Sequence, residues 1–588
     1  MCGIVGYAGK KDAISKIMIG LKSLEYRGYD SSGIAYVKNN KINIIKREGP
    51  IKNLEEKLNY SEEVNVGISH TRWATHGIAN DINAHPHRQG KITLVHNGII
   101  ENYDILKKKL IKEGYVFKSS TDTEVGAAII DSLYNEDKDM ISVLGKLKDV
   151  LKGSYAFNII NDDYPDTIFG IRKDSPLIVG IGDEENILAS DIPAIIHVTN
   201  KYVILDNFDI VVLTNDNVKY YDKYKKEITK DIRIFTEDKD VISKNGYDHF
   251  MLKEINEEAD VVKKILSIYT ENGIVKDIFD IKKYKNIDIV ACGSASFAGQ
   301  VGKYYIEKYA NIRTNVYYAS EYRYQTNFFN KDTLVILISQ SGETADTLAS
   351  LKLAKENNID TLAIVNRRES SIAREADFVI YTEAGIEISV ATTKAYLAQV
   401  LVLLLLAIKE SSLETQVIEE LKILPNIITK YINEYDYKSI ANILKDKEHV
   451  FYLGRGIDYY LAQEGSLKLK EISYIHSEAF QAGELKHGSI SLIDKDFGVI
   501  AIVTDKAVSD KTISNLKEVS ARGAKIITIT NISDDDFSDY KIELENYGEL
   551  LSSLSVMIPM QLLAYNVAKL KECDIDKPRN LAKSVTVE

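Results

Sequence analysis

The pattern of apolar and polar positions divides the chain into two parts. Up to about residue 238 the apolar runs are short, β-branched or alternating, which is typical of β-strands; examples are 33–37, 42–45, 91–95 and 202–205. From about residue 280, short apolar strands alternate with longer helical patterns, which predicts βαβ units and a parallel sheet. We interpret the polar, charged stretch 237–244 between the two parts as a linker.

The second part contains an internal repeat. The strand at 288–291 runs into Cys292, Gly293 and a helix, and the strand at 450–453 runs into Gly454 and a helix. Further strands match in order and spacing, 333–338 with 497–503 and 361–366 with 526–531. We infer two copies of one α/β unit, at 280–430 and 445–570. Any doubly wound sheet would show a similar alternation, so chance alternation is the competing interpretation.

Composition narrows the class of protein. With 588 residues, 45% apolar and 27% charged, the chain is a multidomain globular protein rather than a disordered or fibrous one. A net charge of −12 argues against nucleic acid as a partner. Three cysteines form no disulfide framework and favour a reducing compartment. We detect no signal peptide, and the apolar stretch 400–408 is shorter than the ~20 residues of a membrane span, so we predict a buried helix and a cytoplasmic protein without a membrane partner.

Cys2 directly follows the initiator Met. Removal of Met1 would leave Cys2 with a free α-amine of pKa ~7.7–8.0, which can act as a base beside the thiol. Taken alone, a chance cysteine at this position is the better interpretation. Separate motifs follow it in the first part, however: 2–6 (CGIVG), 25–31 (EYRGYDS), 70–77 (HTRWATHG), 96–98 (HNG) and 121–124 (TDTE).

Together these motifs resemble the class II, or N-terminal-nucleophile, glutamine amidotransferases. The resemblance implies an αββα glutaminase fold over residues 1–238. It implies Cys2 as nucleophile, with the Asn97 side chain and the Gly98 N–H as oxyanion hole. It also implies that glutamine is bound by Arg72, Thr75, His76 and Asp122, with Arg72 for the carboxylate and Asp122 for the ammonium.

Two structural alternatives stand beside these roles. His70, His76, His85 and His87 could suggest a metal site, but no matching Cys or carboxylate spacing supports one, and structural histidines are commoner. The sequence around Gly98 is also natural for a tight turn, so that Gly98 could serve the backbone alone.

A hydroxyl-rich loop marks the first copy of the repeat. The strand 334–338 ends in 339–344 (SQSGET), and a helix begins near Ala345. Hydroxyls and free N–H groups at a helix start form an anion site, for which phosphate is the natural ligand. Ordinary N-capping is the simpler explanation, but a cap needs one hydroxyl and this loop has three. The second copy has 503–507 (VTDKA) instead, and the pair of copies resembles the phosphosugar-binding SIS domain.

A charged helix marks the second copy. Glu464, Lys468 and Glu471 are spaced i, i+4 and i+7, which places them on one helix face. A solvated stripe of ion pairs is the competing interpretation. The motif 483–488 (GELKHG) follows, and the apolar tail 578–588 predicts a terminus that packs and holds Lys583 in a pocket.

A class II glutaminase joined to two doubly wound α/β SIS domains resembles a family of isomerising aminotransferases. The resemblance implies conversion of glutamine and fructose 6-phosphate to glutamate and glucosamine 6-phosphate, without a cofactor or metal. The predicted divisions are 1–238, 239–279 (linker and lead-in helix), 280–430, 445–570 and 571–588 (tail at the sugar site).

The same resemblance implies individual roles. Glu471 moves a proton between C1 and C2, His487 assists ring opening, Lys583 forms a Schiff base, and Lys468 lies near the reacting oxygens. Trp73 gates an ammonia channel, although a core tryptophan would have the same appearance in the sequence. The protein is a homodimer in which His487 serves the partner's site. The phosphate is held by Ser294, Ser339, Gln340, Ser341 and Thr344. Ala295 departs from the family's usual hydroxyl, which weakens the prediction for Ser294.

Two other functions compete with this one. A SIS-type deglycase or isomerase would act on phosphosugars without glutamine, and the motifs around Cys2 oppose it. A phosphosugar-sensing binding protein would not need Glu471, His487 and Lys583 together.

Overall fold

The computed structural model describes residues 2–10, 12–73, 77–236, 243–276, 278–532 and 537–586. The chain forms two compact units. Unit 1 comprises Met1–Ser243 with Ala582–Glu588, and unit 2 comprises Lys244–Leu581.

Unit 1 is built from β-strands with helices on the outside. Its helices are α1 (Ala13–Lys22), α2 (Ile51–Glu55), α3 (Tyr103–Lys112), α4 (Asp122–Glu136) and α5 (Met140–Val150). Its strands are β1 (Gly3–Gly9), β2 (Ser31–Lys38), β3 (Lys41–Glu48), β4 (Val66–Arg72), β5 (His87–Gln89), β6 (Ile92–Ile100), β7 (Gly153–Asn161), β8 (Ile168–Lys173), β9 (Ile178–Ile181), β10 (Glu185–Ala189), β11 (Lys201–Ile204), β12 (Ile210–Leu213), β13 (Val218–Tyr221), β14 (Glu227–Ile228) and β15 (Arg233–Ile234).

Two antiparallel sheets pack face to face in unit 1. Their strand orders are β15-β11-β9-β10-β1-β4-β2-β3 and β14-β13-β12-β8-β7-β6-β5. Residues from both sheets, such as Ile4 and Ile68 from one and Ala156 and Ile160 from the other, form the core between them. Helix α1 covers the outer face of the first sheet and α4 the outer face of the second. This layering confirms the predicted αββα fold.

Unit 2 alternates strands and helices. Its strands are β16 (Thr270–Glu271), β17 (Ile274–Val275), β18 (Asn286–Ala291), β19 (Arg313–Tyr318), β20 (Thr333–Ser339), β21 (Thr361–Val365), β22 (Phe378–Tyr381), β23 (His449–Gly454), β24 (His476–Gln481), β25 (Gly498–Val503), β26 (Lys525–Thr530) and β27 (Tyr540–Glu543). Its helices are α6 (Phe250–Asn256), α7 (Glu258–Tyr269), α8 (Gly293–Tyr305), α9 (Ala319–Tyr322), α10 (Ala345–Glu356), α11 (Ser371–Glu375), α12 (Lys394–Ile408), α13 (Glu414–Leu421), α14 (Leu424–Glu434), α15 (Tyr437–Leu444), α16 (Ile457–Ser473), α17 (Ser509–Ser520), α18 (Glu549–Ser555) and α19 (Met557–Leu570).

Two parallel sheets of equal topology confirm the predicted repeat. Their strand orders are β19-β18-β20-β21-β22 and β24-β23-β25-β26-β27, so each strand of the first sheet has a counterpart in the second. In open parallel sheets, ligands bind at the carboxyl ends of the strands. The loops after β18 and β20, and those after β23 and β25, are therefore the places where a site is expected.

One apolar core joins the two copies. Helices α8, α12, α16 and α19 pack against one another between the two sheets. All fifteen residues of α12 are buried, which confirms the predicted buried helix at 400–408. One stretch of the described chain, Glu549–Leu570, has the length and composition of a membrane-crossing helix, but 94% of its most apolar window is buried inside the fold, as in a core helix.

A titratable group starts helix α7. Glu258 is fully buried, and burial raises the pKa of its carboxyl from 4.5 to about 8, with the nearby Glu387 adding to the shift. In the unfolded chain the same carboxyl ionises near its ordinary value. Because the folded pKa is the higher one, the contribution of this carboxyl to the free energy of unfolding is fully present below pH 4.5. That contribution is lost as the pH rises through 8.

Glu258→Gln is expected to stabilise unit 2 at alkaline pH. The amide keeps the shape of the side chain and removes the cost of burying a carboxylate charge above pH 8, which is about 1.4 kcal/mol per pKa unit. The melting temperature of the variant should exceed that of the wild type by several degrees above pH 8 and by little near pH 5. Thermal unfolding across this range, with the exposed Glu356→Gln as control, makes the comparison. A difference in melting temperature that does not change with pH would contradict the assignment.

Candidate active sites

The first site lies where β1 begins beside the end of β4. Gly3 pairs with Thr71, which places the Cys2 Sγ 3.4 Å from the Trp73 nitrogen and 3.5 Å from the Trp73 oxygen. Gly28 lets this backbone approach, because a Cβ there would lie 2.5 Å from the Trp73 nitrogen. The thiol is thus held against a fixed backbone segment.

The electrostatics of Cys2 favour the thiol form. Burial raises the pKa of the Cys2 thiol, and the Trp73 N–H and the Arg72 guanidinium offset only part of this. A nucleophilic role therefore requires a base that removes the thiol proton.

Asn97 and Gly98 lie on β6, opposite Ala156 and Tyr155 of β7. The Asn97 Nδ2 donates to the carbonyl oxygen of Cys2 at 2.9 Å. Gly98 has φ +130°, and a Cβ there would lie 2.1 Å from the Ser154 oxygen. The tight-turn alternative is therefore wrong, because the segment is a strand; the glycine is needed for its backbone angle and for the close approach of β7.

Two buried side chains of opposite charge accompany the thiol. Arg72 ends β4 and is 3% exposed; its guanidinium donates to the oxygens of Gly77 (3.2 Å) and Ile78 (3.4 Å). Asp122 starts α4, and its Oδ2 accepts the Ile100 N–H at 2.8 Å. Both charges act on the Cys2 thiol, so the structure brings together Cys2, Arg72 and Asp122. Thr75 and His76 lie outside the described residues.

Buried histidines support the strand that carries Asn97. The His70 Nε2 donates to the His96 oxygen at 3.0 Å, and the His96 N–H donates to the His85 Nδ1 at 3.4 Å. The Thr123 hydroxyl contacts the His85 Nε2 and the His96 Nδ1. Burial lowers the pKa of His70, His85 and His87 well below the usual value, so these rings are neutral. Among the described residues no group of three or more His, Cys, Asp or Glu side chains is arranged to hold a metal.

The second site lies in unit 2, at the loop between β20 and α10. The Ser339 hydroxyl contacts the Thr344 hydroxyl at 2.9 Å and accepts the Gly342 N–H at 3.0 Å. The Ser341 hydroxyl accepts the Glu343 N–H at 3.2 Å. Gly342 has φ +64°, and a Cβ there would lie 2.0 Å from the Ser370 hydroxyl.

This loop is more than a helix cap. Thr344 occupies the N-cap position of α10, yet its side chain makes no capping hydrogen bond. Its hydroxyl turns to Ser339 instead. Two hydroxyls of the loop, those of Ser339 and Thr344, contact each other, and Gln340 follows Ser339 in the chain, half-buried. Such an arrangement suits an anion with several oxygens.

A buried charge cluster lies on α16. The Lys468 Nζ lies 2.6 Å from the Glu471 Oε2 and 3.4 Å from the Glu464 Oε1. Lys468 is 1% exposed and Glu464 2% exposed, so the interpretation as a solvated stripe is wrong. Burial by itself lowers the pKa of Lys468, but the two carboxylates raise it more, and it lies above its ordinary value. Burial raises the pKa of Glu464 to about 7, against the opposing charge of Lys468.

The cluster is linked to the first copy of the repeat. The Ser294 hydroxyl, at the start of α8, donates to the Glu464 Oε1 at 3.0 Å. Ser296 donates to the Gly293 oxygen at 2.7 Å. The hydroxyl of Ser294 is thus already engaged by a carboxylate, and its contact with a phosphate stays a prediction.

Two further predicted residues lie on other segments of the chain. His487 is exposed on a short 3₁₀ helix, Glu484–His487. Lys583 lies in the tail segment that groups with unit 1. The sequence pattern does not identify two residues of this site. It places Glu464 on the correct helix face without indicating a role, and it does not single out Asp458, in the first turn of α16. The acidic residue at a helix start was the available signal for Asp458.

Comparison with known protein families identifies the domains of this chain. The glutamine amidotransferase domain family matches residues 70–197, and the SIS domain family matches residues 280–409 and 443–568. The C-terminal domain of glucosamine-fructose-6-phosphate aminotransferase from Francisella tularensis is a similar solved structure, with 40% identity and a TM-score of 0.54 over 57% of this chain and all of that one.

Relatives match this chain over its whole length and over their own. The glutamine–fructose-6-phosphate aminotransferase (isomerizing) of Clostridium tetani is 47% identical over 100% of both chains. The protein of the same name from Thermococcus kodakarensis is 44% identical over the same coverage. The chain therefore belongs to the glutamine–fructose-6-phosphate aminotransferase (isomerizing) family.

Proposed function

We propose that this chain transfers the amide nitrogen of glutamine to fructose 6-phosphate, giving glutamate and glucosamine 6-phosphate. The observation that carries the proposal is the presence on one chain of a thiol site on which the charges of Arg72 and Asp122 both act, and of a unit with a buried acid–lysine cluster and a hydroxyl loop. The first suits a free amino acid, and the second suits a phosphosugar. Relatives that match the chain from end to end carry the name of this reaction.

At the thiol site, the proposed reaction is hydrolysis of the glutamine side-chain amide. Removal of Met1 exposes the α-amine of Cys2, which takes the proton that burial keeps on the thiol. The thiolate attacks the amide carbon, ammonia leaves, and water hydrolyses the thioester. The Asn97 Nδ2 and the Gly98 N–H stabilise the oxyanion, and loss of one such donor costs ~3 kcal/mol of barrier.

Substrate orientation follows from charge. Arg72 offers two parallel donors to the α-carboxylate of glutamine, and Asp122 offers an acceptor to its ammonium. Thr75 and His76 complete the proposed glutamine site.

At the sugar site, the hydroxyl loop holds the phosphate. Ser339, Gln340, Ser341 and Thr344 bind its oxygens, and Ser294 is the proposed additional contact. With the phosphate held, the sugar carbons C1 and C2 lie toward α16 in the proposed complex.

The acid–lysine cluster carries the isomerisation. Glu471 is the half-buried member of the cluster and moves the proton between C2 and C1. The Lys468 ammonium stabilises the negative charge on the reacting oxygen, and Glu464 keeps that ammonium in place. Lys583 forms the Schiff base with the ketose, and His487 opens the sugar ring.

Further assignments complete the proposal. Trp73 is the gate of the ammonia path, and His487 acts in the partner's site of a homodimer, in keeping with its exposure in the single chain. The proposed divisions are 1–238, 239–279, 280–430, 445–570 and 571–588. The matched domain ranges 70–197, 280–409 and 443–568 support the first, third and fourth of these. A cytoplasmic location suits both substrates.

Cys2→Ala is expected to abolish the use of glutamine. Without the thiol no thioester forms, so glutamate release should fall to background, while isomerisation of fructose 6-phosphate to the aldose should stay within about twofold of the wild type, because the sugar site keeps its own acid and base. Glutamate and hexose phosphates are measured in parallel. Cys573→Ala, which removes another thiol, serves as control. Glutamate release at the wild-type rate by the Cys2 variant would overturn the assignment of the nucleophile.

Glu471→Gln is expected to remove the proton shuttle. A positioned general base contributes about 10²–10⁴-fold, so the exchange of the sugar C1–C2 protons with deuterated water should fall by that factor. The affinity for fructose 6-phosphate should change by little, because the phosphate loop is intact. Glu478→Gln, at an exposed carboxylate on β24, is the control. Undiminished exchange in the Glu471 variant would assign the proton transfer to another group.

A further inference from the structure

The two copies of the repeat differ in what lies on the loop after the central strand. In the first copy, after β20, the loop N–H groups of Gly342 and Glu343 donate to hydroxyls of the same loop. In the second copy, after β25, the N–H groups of Thr504 and Asp505 donate to a carboxylate, the Asp458 Oδ2, at 2.8 and 3.1 Å. The Thr504 hydroxyl donates to the other oxygen, Oδ1.

These two loops occupy the same place in the two sheets. Strands β20 and β25 are each third in their strand order. Each pairs with the strand that opens the copy, β18 or β23, and each is followed in the chain by a helix, α10 or α17. The loop that binds the carboxylate is therefore the counterpart of the proposed phosphate loop. Two N–H groups and a hydroxyl around two carboxylate oxygens are the donors that an anion requires.

The helix that follows the first strand supplies the carboxylate in one copy only. In the second copy α16 has Asp458 in its first turn, 1% exposed. In the first copy the corresponding helix α8 has no acidic residue in its first turn. An internal anion thus fills the second loop, and the first loop is left for an external one.

The same carboxylate fixes the helix that bears the charge cluster. Glu464, Lys468 and Glu471 follow Asp458 on α16, and a helix transmits the position of its first turn along its axis. The start of α16 is also held by close backbone packing, since a Cβ at Gly454 would lie 2.5 Å from the Asp458 carbonyl carbon. The hydrogen bonds from Thr504 and Asp505 therefore set the register of α16 against β25.

We propose that Asp458 is a built-in substitute for a phosphate in the second copy, which closes that loop to a sugar phosphate and positions α16 for the isomerisation. Asp458 is a positioning residue and touches neither substrate. The proposal rests on the proposed function only in taking the α16 cluster as the isomerisation machinery. That the second loop is closed to a phosphate follows from the hydrogen bonds of Thr504 and Asp505 to Asp458 alone.

The test is removal of the carboxylate and its replacement from solution. Asp458→Ala should lower kcat for fructose 6-phosphate isomerisation by about 10²-fold, the usual effect of a displacement of ~1 Å in catalytic groups, and change KM by less than about threefold. Formate at high millimolar concentration should restore much of the lost kcat, because it fits the vacated loop and carries the same charge. Formamide, which has the same size and no charge, should not.

Controls separate positioning from general damage. Glutamine hydrolysis, measured on the same variant, reports whether unit 1 is intact. Asp510→Ala removes an exposed carboxylate from the helix after the same loop and should behave as the wild type. Should the Ala variant unfold without formate, the same selectivity is read from its thermal unfolding, in which formate and not formamide restores the transition.

The outcomes are distinct. A wild-type protein that forms no glucosamine 6-phosphate refutes the proposed function and leaves the loop comparison untouched. A folded Asp458→Ala variant with wild-type kcat, or rescue by formamide as well as by formate, overturns the role of Asp458 while the proposed function stands.

Discussion

A lysine side chain withdrawn from water keeps its charge only if carboxylates stay beside it, and that constraint organises unit 2. Lys468 is held by Glu464 and Glu471 on the same helix, and Ser294 of the other copy adds a hydrogen bond to Glu464. Removal of Lys468 would leave two carboxylates without a counter-charge in the core, which costs far more than the ion pairs gain by their attraction. The hydrogen bond from Ser294 to Glu464 therefore joins the two copies of the repeat at the site where we propose that isomerisation takes place.

Unit 1 meets a different constraint, the close approach of backbone segments. The thiol of Cys2 lies against the Trp73 backbone because Gly28 has no side chain, and β6 lies against β7 because Gly98 has none. The strand that carries Asn97 is then held by hydrogen bonds among His85, His96 and Thr123, in which the buried His85 ring is neutral. A site built from backbone contacts in this way holds its donors rigidly, as stabilisation of an oxyanion requires.

Duplication with divergence explains the asymmetry of unit 2. Both sheets have the same strand order. In the first copy the loop N–H groups donate to hydroxyls of the same loop, and in the second copy the equivalent N–H groups donate to the carboxylate of Asp458. One copy is suited to hold a ligand and the other to hold a helix. The proposed catalysis needs both.

The sequence alone predicted the elements and much of the site. Period-two runs located β2, β3, β6 and β11, and the repeated strand–glycine–helix pattern located the two parallel sheets, because local patterning determines both. Spacing also put Glu464, Lys468 and Glu471 on one face. It could not show that this face is buried, because α16 packs against α8 and α19, which are distant in the chain. For the same reason the sequence pattern does not indicate a role for Asp458, since its partners Thr504 and Asp505 lie more than forty positions away in the chain. The turn alternative for Gly98 failed because a positive φ is compatible with a strand when the neighbouring strand demands it.

The central claim is that nitrogen from glutamine ends on the sugar. Purified protein is given amide-¹⁵N glutamine and fructose 6-phosphate, and the hexosamine phosphate formed is analysed by mass spectrometry. The account predicts ¹⁵N in the aminated sugar in step with glutamate release. Glutamate release with no ¹⁵N in any aminated hexose would contradict it.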